Sequence, residues 1–270
     1  MTLTDALLLG IVQGLTEFIP VSSTAHLLIA QSLLGIPAGA KTFAFHVIIQ
    51  LGTVLALLLF FWRDLWQILQ AFLLGLWHRR PLETHQAALG WLLIIATLPA
   101  ALFGFLLKDY IKAMFLEPLG QAGVRLIVTA FLLALVERLS AHRRSIESVT
   151  WIDALAVGTF QILSLFPGAS RSGSTIAGAL LCGLDRTSAA RFAFLMSAPI
   201  LLIAGLHEIV YVVGMPGTRA FLPYLATGFL VSAIVGWLSI KWLLRYLSKH
   251  SLYLFAGYCA ALGSLTLLLR

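Results

Sequence analysis

Six runs of 19 to 25 predominantly apolar residues, at 42–62, 86–107, 119–137, 189–213, 220–243 and 251–269, dominate this chain of 270 residues. A helix needs roughly 20 apolar residues to cross about 30 Å of hydrocarbon, so each run reads as a membrane crossing. Arg125 lies near one end of the third run and Glu208 lies within the fourth; the others are nearly free of charge. The composition agrees: 60% of the residues are apolar and 11% charged, against roughly 25% charged in a soluble domain. No water-soluble globule hides that much apolar side chain. The net charge of +7 therefore marks cytoplasmic loops and not affinity for nucleic acid. Cys182 and Cys259 have no motif spacing, which points away from a disulfide framework or a zinc site. The start, Met1 to Asp5, lacks the basic opening of a signal peptide and is expected to be retained. Residues 65–78, with Gln67 and Gln70 between basic clusters, read as an interfacial helix.

Two further apolar stretches do not fit as simple crossings. Residues 3–35 are interrupted at Glu17 to Thr24, and residues 151–184 at Phe166 to Thr175. Each half is too short to cross, and each break holds proline and hydroxyl residues. Short, broken segments in matching positions are the pattern of re-entrant helical hairpins. The two stretches are also copies of one another. A shift of 148 aligns Asp5-Ala6-Leu7 with Asp153-Ala154-Leu155, Gly10 with Gly158 and Gln13 with Gln161. It continues through Leu15 with Leu163, Phe18 with Phe166 and Ser22 with Ser170, eight identities within 18 ungapped positions. A shift of 149 then matches Phe43-Ala44-Phe45 to Phe192-Ala193-Phe194. The chain is a duplication, with repeats at 1–140 and 150–270.

Each repeat holds one hairpin and three crossings. Three is odd, so the second copy enters the membrane upside down relative to the first. Basic residues test this independently. With the N-terminus outside, eleven fall on the cytoplasmic side (among them Arg63, Arg79, Arg80, Arg138, Arg143 and Arg144) and six outside. That imbalance favours both termini outside. The expected fold is an all-α integral membrane protein, an inverted-topology repeat of six transmembrane helices and two re-entrant hairpins whose tips meet near the midplane.

Polar residues concentrate at the tips: Gln13, Thr16, Glu17, Ser22, Ser23, Thr24 and His26 at the first, and Gln161, Ser164, Ser170, Arg171, Ser172, Ser174 and Thr175 at the second. A charged group at bilayer depth costs at least ~2.5 kcal/mol on insertion scales, so Glu17 and Arg171 are poor passive filling. One buried ion pair locking the hairpins is the structural alternative, and it leaves the hydroxyl clusters and His26 unexplained. The returning half-helices begin near Ser22 and Ser170, where unpaired backbone N–H groups and positive dipole ends suit phosphate. Serine there also serves as an ordinary N-cap, but three consecutive hydroxyls at 22–24 exceed that role. Arg171 adds a fork for phosphate oxygens. His26 follows Ser22 by four residues and Ser23 by three, a spacing that suits base-assisted attack by a serine. Glu17 is placed to ligate a divalent cation, orient His26 or act as the base.

The segment Gly10-Ile11-Val12-Gln13-Gly14-Leu15-Thr16-Glu17-Phe18-Ile19-Pro20-Val21-Ser22-Ser23-Thr24-Ala25-His26 resembles the first signature of the bacterial undecaprenyl-diphosphate phosphatases of the bacitracin-resistance type. Pro167-Gly168-Ala169-Ser170-Arg171-Ser172-Gly173 resembles that family's second motif, and Phe192-Ala193-Phe194-Leu195 its following segment. The likeness spans essentially the whole chain. It implies an enzyme of the bacterial inner membrane, multi-pass, that hydrolyses undecaprenyl diphosphate and recycles the lipid carrier of cell-wall synthesis. It also implies dependence on a divalent cation, Mg²⁺ or Ca²⁺. By position, Glu17, Ser23, His26 and Arg171 match the family's catalytic residues. Ser22, Thr24, Ser170, Ser172, Gly173, Ser174 and Thr175 are the expected phosphate-binding set. Many members carry glutamate where this chain has Gln13, so a two-carboxylate metal site is not expected here; Glu17 is the principal anionic ligand, with Gln13 a weak one. Ala25 stands where glycine is usual.

The expected partners are undecaprenyl diphosphate and the bilayer, with no nucleic acid; a homodimer is compatible with this layout. The mechanism is attack on the terminal phosphorus by Ser23, or by water activated by His26 or Glu17. Acid-phosphatase-like lipid phosphatases are a rival, but Arg80-Pro81 lacks the required upstream lysine and His207 is not followed by aspartate at 211. A transporter of undecaprenyl phosphate would use the same anion site without needing His26 or a metal. Glu208 pairs with a basic group or lines the substrate path, His46 packs within the bundle, and Asp5 and Asp153 suit helix N-termini.

Overall fold

The computed structural model describes residues 1–107, 118–166, 169–214 and 218–268, without the side chains of 118–121, 204, 207, 208, 210–213 and 218–220. Lys108, Lys112, Pro167 and Gly168, and the side chains of His207 and Glu208, lie outside these. The described residues form eleven α-helices. They are α1 Leu3–Thr16, α2 Ser23–Leu33, α3 Ala40–Phe60, α4 Trp62–Trp77, α5 His85–Leu106 and α6 Pro118–Leu139, then α7 Trp151–Gln161, α8 Arg171–Leu181, α9 Arg186–Val213, α10 Thr218–Leu247 and α11 Tyr253–Leu268. Helices α3 and α5, with Arg186–Ile203 of α9 and Phe221–Leu247 of α10, are long and apolar enough to cross a membrane.

The paired helices α1–α2 and α7–α8 are different. With 14 and 11 residues, α1 and α2 reach only about 21 and 16 Å at 1.5 Å per residue, and α7 and α8 have 11 each. Local chemistry sets their ends. Thr2 and Asp5 form a capping box at the start of α1, and Thr150 and Asp153 form the same box at the start of α7. Each box satisfies first-turn amides that have no carbonyl partner within the helix. Ser22 caps α2 by accepting from the Ala25 amide, and Ser170 caps α8 by accepting from the Gly173 amide.

The two sequence-matched stretches each pack against one long apolar helix. Helix α1 lies against α10, and α7 lies against α5. At Gly10 an added Cβ would sit 2.9 Å from the Gly228 carbonyl oxygen; at Gly158, its counterpart, 2.3 Å from that of Ala96. Only glycine lets these backbones approach so closely, as is common between helices in membranes. Helix α6 runs along α11, and α8 is enclosed by α6, α7 and α9. Helix α4 buries Ile68 alone while Trp62, Trp66 and Trp77 stay exposed, as suits an interfacial helix.

Charged staples tie the ends of the bundle. Glu137, buried on α6, accepts from the Arg186 Nε at 2.9 Å, from the Arg186 Nη2 and from the Leu252 amide at 3.2 Å, joining α6 to α9 and α11. Arg144 donates to both Asp153 carboxylate oxygens, at 3.0 and 2.7 Å, and to the Cys182 carbonyl at 2.7 Å, closing the far end of the α7–α8 pair. Removing one partner of a buried pair strands the other charge. Glu137→Ala is expected to cost about 3 kcal/mol, read as a lowered Tm in detergent, whereas Glu137→Leu with Arg186→Met should recover most of it.

Candidate active site

The loops after α1 and before α8 meet. Glu17 follows α1 directly and is 7% exposed; its Oε1 accepts from the Arg171 Nη2 at 2.5 Å. The other oxygen, Oε2, accepts from the Ser23 hydroxyl at 2.7 Å and the Gln13 side-chain amide at 3.0 Å. The Gln13 amide also lies 3.4 Å from the Thr53 hydroxyl on α3. One carboxylate is thus held by three donors. The Ser172 hydroxyl donates to the Ile19 carbonyl at 3.2 Å, and the Phe18 ring packs edge-on against Phe194 with centroids 5.4 Å apart, so both loops are pinned.

These groups line a cavity of about 540 Å³. Its polar end carries Gln13, Glu17, Ser22, Ser23, Thr24, Gln161, Ser164, Ser170, Arg171 and Ser172. From there it runs along α2 and the first half of α3, past Leu27, Leu28, Gln31, Thr42, His46 and Gln50, with Ile200 and Leu201 of α9 opposite. Among the described residues Glu17 is the one carboxylate in that lining. The amino ends of α2 and α8 both abut the polar end, which directs first-turn amides and the positive ends of two helix dipoles toward it.

Three of the expected site residues, Glu17, Ser23 and Arg171, are in direct contact. Others are placed differently. His26 does not line the cavity: its Nδ1 lies 2.7 Å from the Ser22 carbonyl oxygen and its Nε2 2.7 Å from the Tyr258 hydroxyl, with the two rings stacked at 5.6 Å. The spacing placed His26 beside Ser22, but the partner is the carbonyl and not the hydroxyl. Ser22 has φ +71°, a region uncommon for any residue but glycine, and its carbonyl also accepts the backbone amide of His26 at 3.2 Å, the first bond of α2. The Gly173 amide serves Ser170, the Thr175 hydroxyl donates to the Arg171 carbonyl at 2.8 Å, and Ser174 is buried on α8 away from the lining. His46, expected to pack within the bundle, lines the cavity, and its Nε2 has no hydrogen-bond partner among the described residues. Tyr258 and Thr53 had no sequence signal, because neither stands in a motif.

A carbonyl can only accept, so the His26 Nδ1 carries a proton, and in the neutral ring Nε2 accepts from Tyr258. The imidazole ¹⁵N spectrum is expected to show protonated Nδ1 and bare Nε2; the opposite tautomer would contradict this geometry.

The family model described as bacitracin resistance protein BacA matches residues 6–265. The undecaprenyl-diphosphatase of Chlorobium phaeovibrioides is 43% identical, over 100% of this chain and 97% of that protein. Those of Myxococcus xanthus and Anaeromyxobacter sp. strain K are 42% and 44% identical, over 100% and 98% of this chain and 89% and 90% of theirs. With the match running nearly end to end and through both loops of the site, the chain belongs to the bacitracin resistance protein BacA family.

Proposed function

We propose that this chain is a multi-pass membrane enzyme that hydrolyses undecaprenyl diphosphate to undecaprenyl phosphate and inorganic phosphate, at the cavity where α2 and α8 begin. The observation that carries the reading is the Glu17 carboxylate, bonded at once to a serine hydroxyl from its own repeat and to an arginine from the other. A serine whose hydroxyl already donates to a carboxylate, beside a guanidinium and two helix amino ends, suits phosphoryl transfer, which demands positioning and charge neutralisation. Transport of a lipid phosphate would need no such serine.

The steps follow from these contacts. Arg171 spends one of its five N–H donors on Glu17, and the rest, which have no partner among the described residues, are left to hold phosphoryl oxygens. The Ser23 Oγ attacks the terminal phosphorus while its proton passes to Glu17. The bridging P–O bond breaks and undecaprenyl phosphate leaves with that proton, which frees the Glu17 carboxylate. Water, deprotonated by Glu17, then cleaves the phosphoserine, and the proton returns from Glu17 to the Ser23 Oγ as inorganic phosphate is released. His26 supports this chemistry by holding the Ser22 turn that presents Ser23. The apolar walls at Leu27, Leu28, Ile200 and Leu201 take the first units of the prenyl tail. Among the described residues no group of three His, Cys, Asp or Glu forms. The donors present, the Glu17 carboxylate with the neighbouring Gln13 and Ser23 oxygens, would suit a hard divalent cation such as Mg²⁺ or Ca²⁺, and these residues would hold it. Such an ion would supply charge neutralisation at the phosphoryl oxygens.

For membrane placement, α1–α2 and α7–α8 are re-entrant hairpins of an inverted repeat, with both termini outside the cytoplasm. Their short lengths, the matching α1–α10 and α7–α5 packing, and the excess of basic residues on the assigned inner side support this.

The decisive assay is phosphate release from undecaprenyl diphosphate by purified protein in detergent. Arg171→Ala and Ser23→Ala are each expected to lose about 10³-fold in rate, in line with removal of a transition-state donor or of the nucleophile. Acid quenching should trap a phosphoserine that is absent from Ser23→Ala, and a chelator should suppress turnover. Full activity in Arg171→Ala, or in a folded Ser23→Ala, would refute the assigned roles.

A further inference from the structure

The duplication leaves one buried side-chain amide with no hydrogen-bond partner among the described residues. Gln13 and Gln161 occupy the same position in the two copies. The Gln13 amide is used: it donates to Glu17 and lies beside Thr53. In the second copy the position of Glu17 is Leu165, and that of Thr53 is Leu201 or Leu202, depending on the shift of 148 or 149. Both partners have become apolar, yet the glutamine is still there. Gln161 is 1% exposed, and its Nε2 and its Oε1 both lack a hydrogen-bond partner among the described residues.

Burying an amide with both ends unpaired is unfavourable, and an apolar side chain of that size would relieve it. Gln161 also lines the cavity, together with Ser164, Ser170 and Arg171. Its own backbone is fixed at the end of α7, where the Ser164 hydroxyl donates to the Gln161 carbonyl at 2.6 Å. The amide thus presents one donor and one acceptor from a rigid support.

We infer that Gln161 is a binding residue for the terminal phosphoryl group of the diphosphate and for the inorganic phosphate released from it. A phosphate monoanion or dianion carries bare oxygens beside a P–O–H, the complement of a side-chain amide: Nε2–H donates to an oxygen and Oε1 accepts from the hydroxyl. Arg171 supplies charge, and Gln161 reads the neutral edge of the same group. This assignment rests on the hydrolytic reading above for its substrate, but not for its ligand chemistry.

The test uses Gln161→Leu and, as a second unbranched apolar replacement, Gln161→Met in the full-length protein. Both are expected to fold with a Tm equal to or above that of the parent, since an unpaired buried amide is replaced by an apolar group. In the phosphate-release assay the inhibition constant of inorganic phosphate is expected to rise about tenfold, the size of one hydrogen bond to a charged group. A parallel rise in KM extends the contact to the bound diphosphate. A separate arm measures stabilisation of the protein by inorganic phosphate alone, which both variants should weaken. Variants that match the parent in inhibition constant, KM and phosphate-induced Tm shift overturn the inference, as does a parent that phosphate does not stabilise. If instead the parent binds phosphate but releases none from undecaprenyl diphosphate, the hydrolytic reading fails while the Gln161 contact is still decided by the binding arm.

Discussion

The buried pair between Glu17 and Arg171 is the interaction on which the site depends. Each charge is expensive to hold among apolar helices, and neither is tolerable without the other. Their meeting forces the loop after α1 against the loop before α8, and the Ser172–Ile19 hydrogen bond and the Phe18–Phe194 contact fix that approach. Everything polar in the cavity is arranged around this pair: Gln13 and Ser23 share the second carboxylate oxygen, and the caps of α2 and α8 stand on either side.

Divergence between the copies is what makes such a site available. Under the shift of 148, Ser23 corresponds to Arg171, Glu17 to Leu165 and His26 to Ser174. The backbone plan is kept, as the twin capping boxes and the close approaches at Gly10 and Gly158 show, while the chemistry is divided. One copy carries the carboxylate and the hydroxyl, and the other carries the cation. Two identical tips would have set like charges face to face, which costs energy in any medium and most in a dry one.

Much of this was legible in the chain. The apolar helices α3, α5, α9 and α10 follow from hydropathy, the breaks after α1 and before α8 from proline and hydroxyl residues, and the starts of α2 and α8 from Ser22 and Ser170 as caps. These are local effects, settled within a few residues. The side of His26 was not legible. Helical spacing put it over Ser22, but the ring meets the Ser22 carbonyl on one side and, on the other, a tyrosine hydroxyl 232 positions away. The Glu137 staple was equally hidden, since its partners lie at Arg186 and Leu252 and no motif connects them.

The amino-acid order by itself determined a helical membrane chain, its duplication and the residue types gathered at two breaks, because hydrophobic transfer, capping and backbone sterics act along the chain. Only the tertiary structure decided which of those residues touch. Glu17 finds Arg171, His26 turns to Tyr258, and Gln161 keeps its amide without a partner among the described residues, because pairing across 150 or more residues is set by how whole helices pack and not by any local preference.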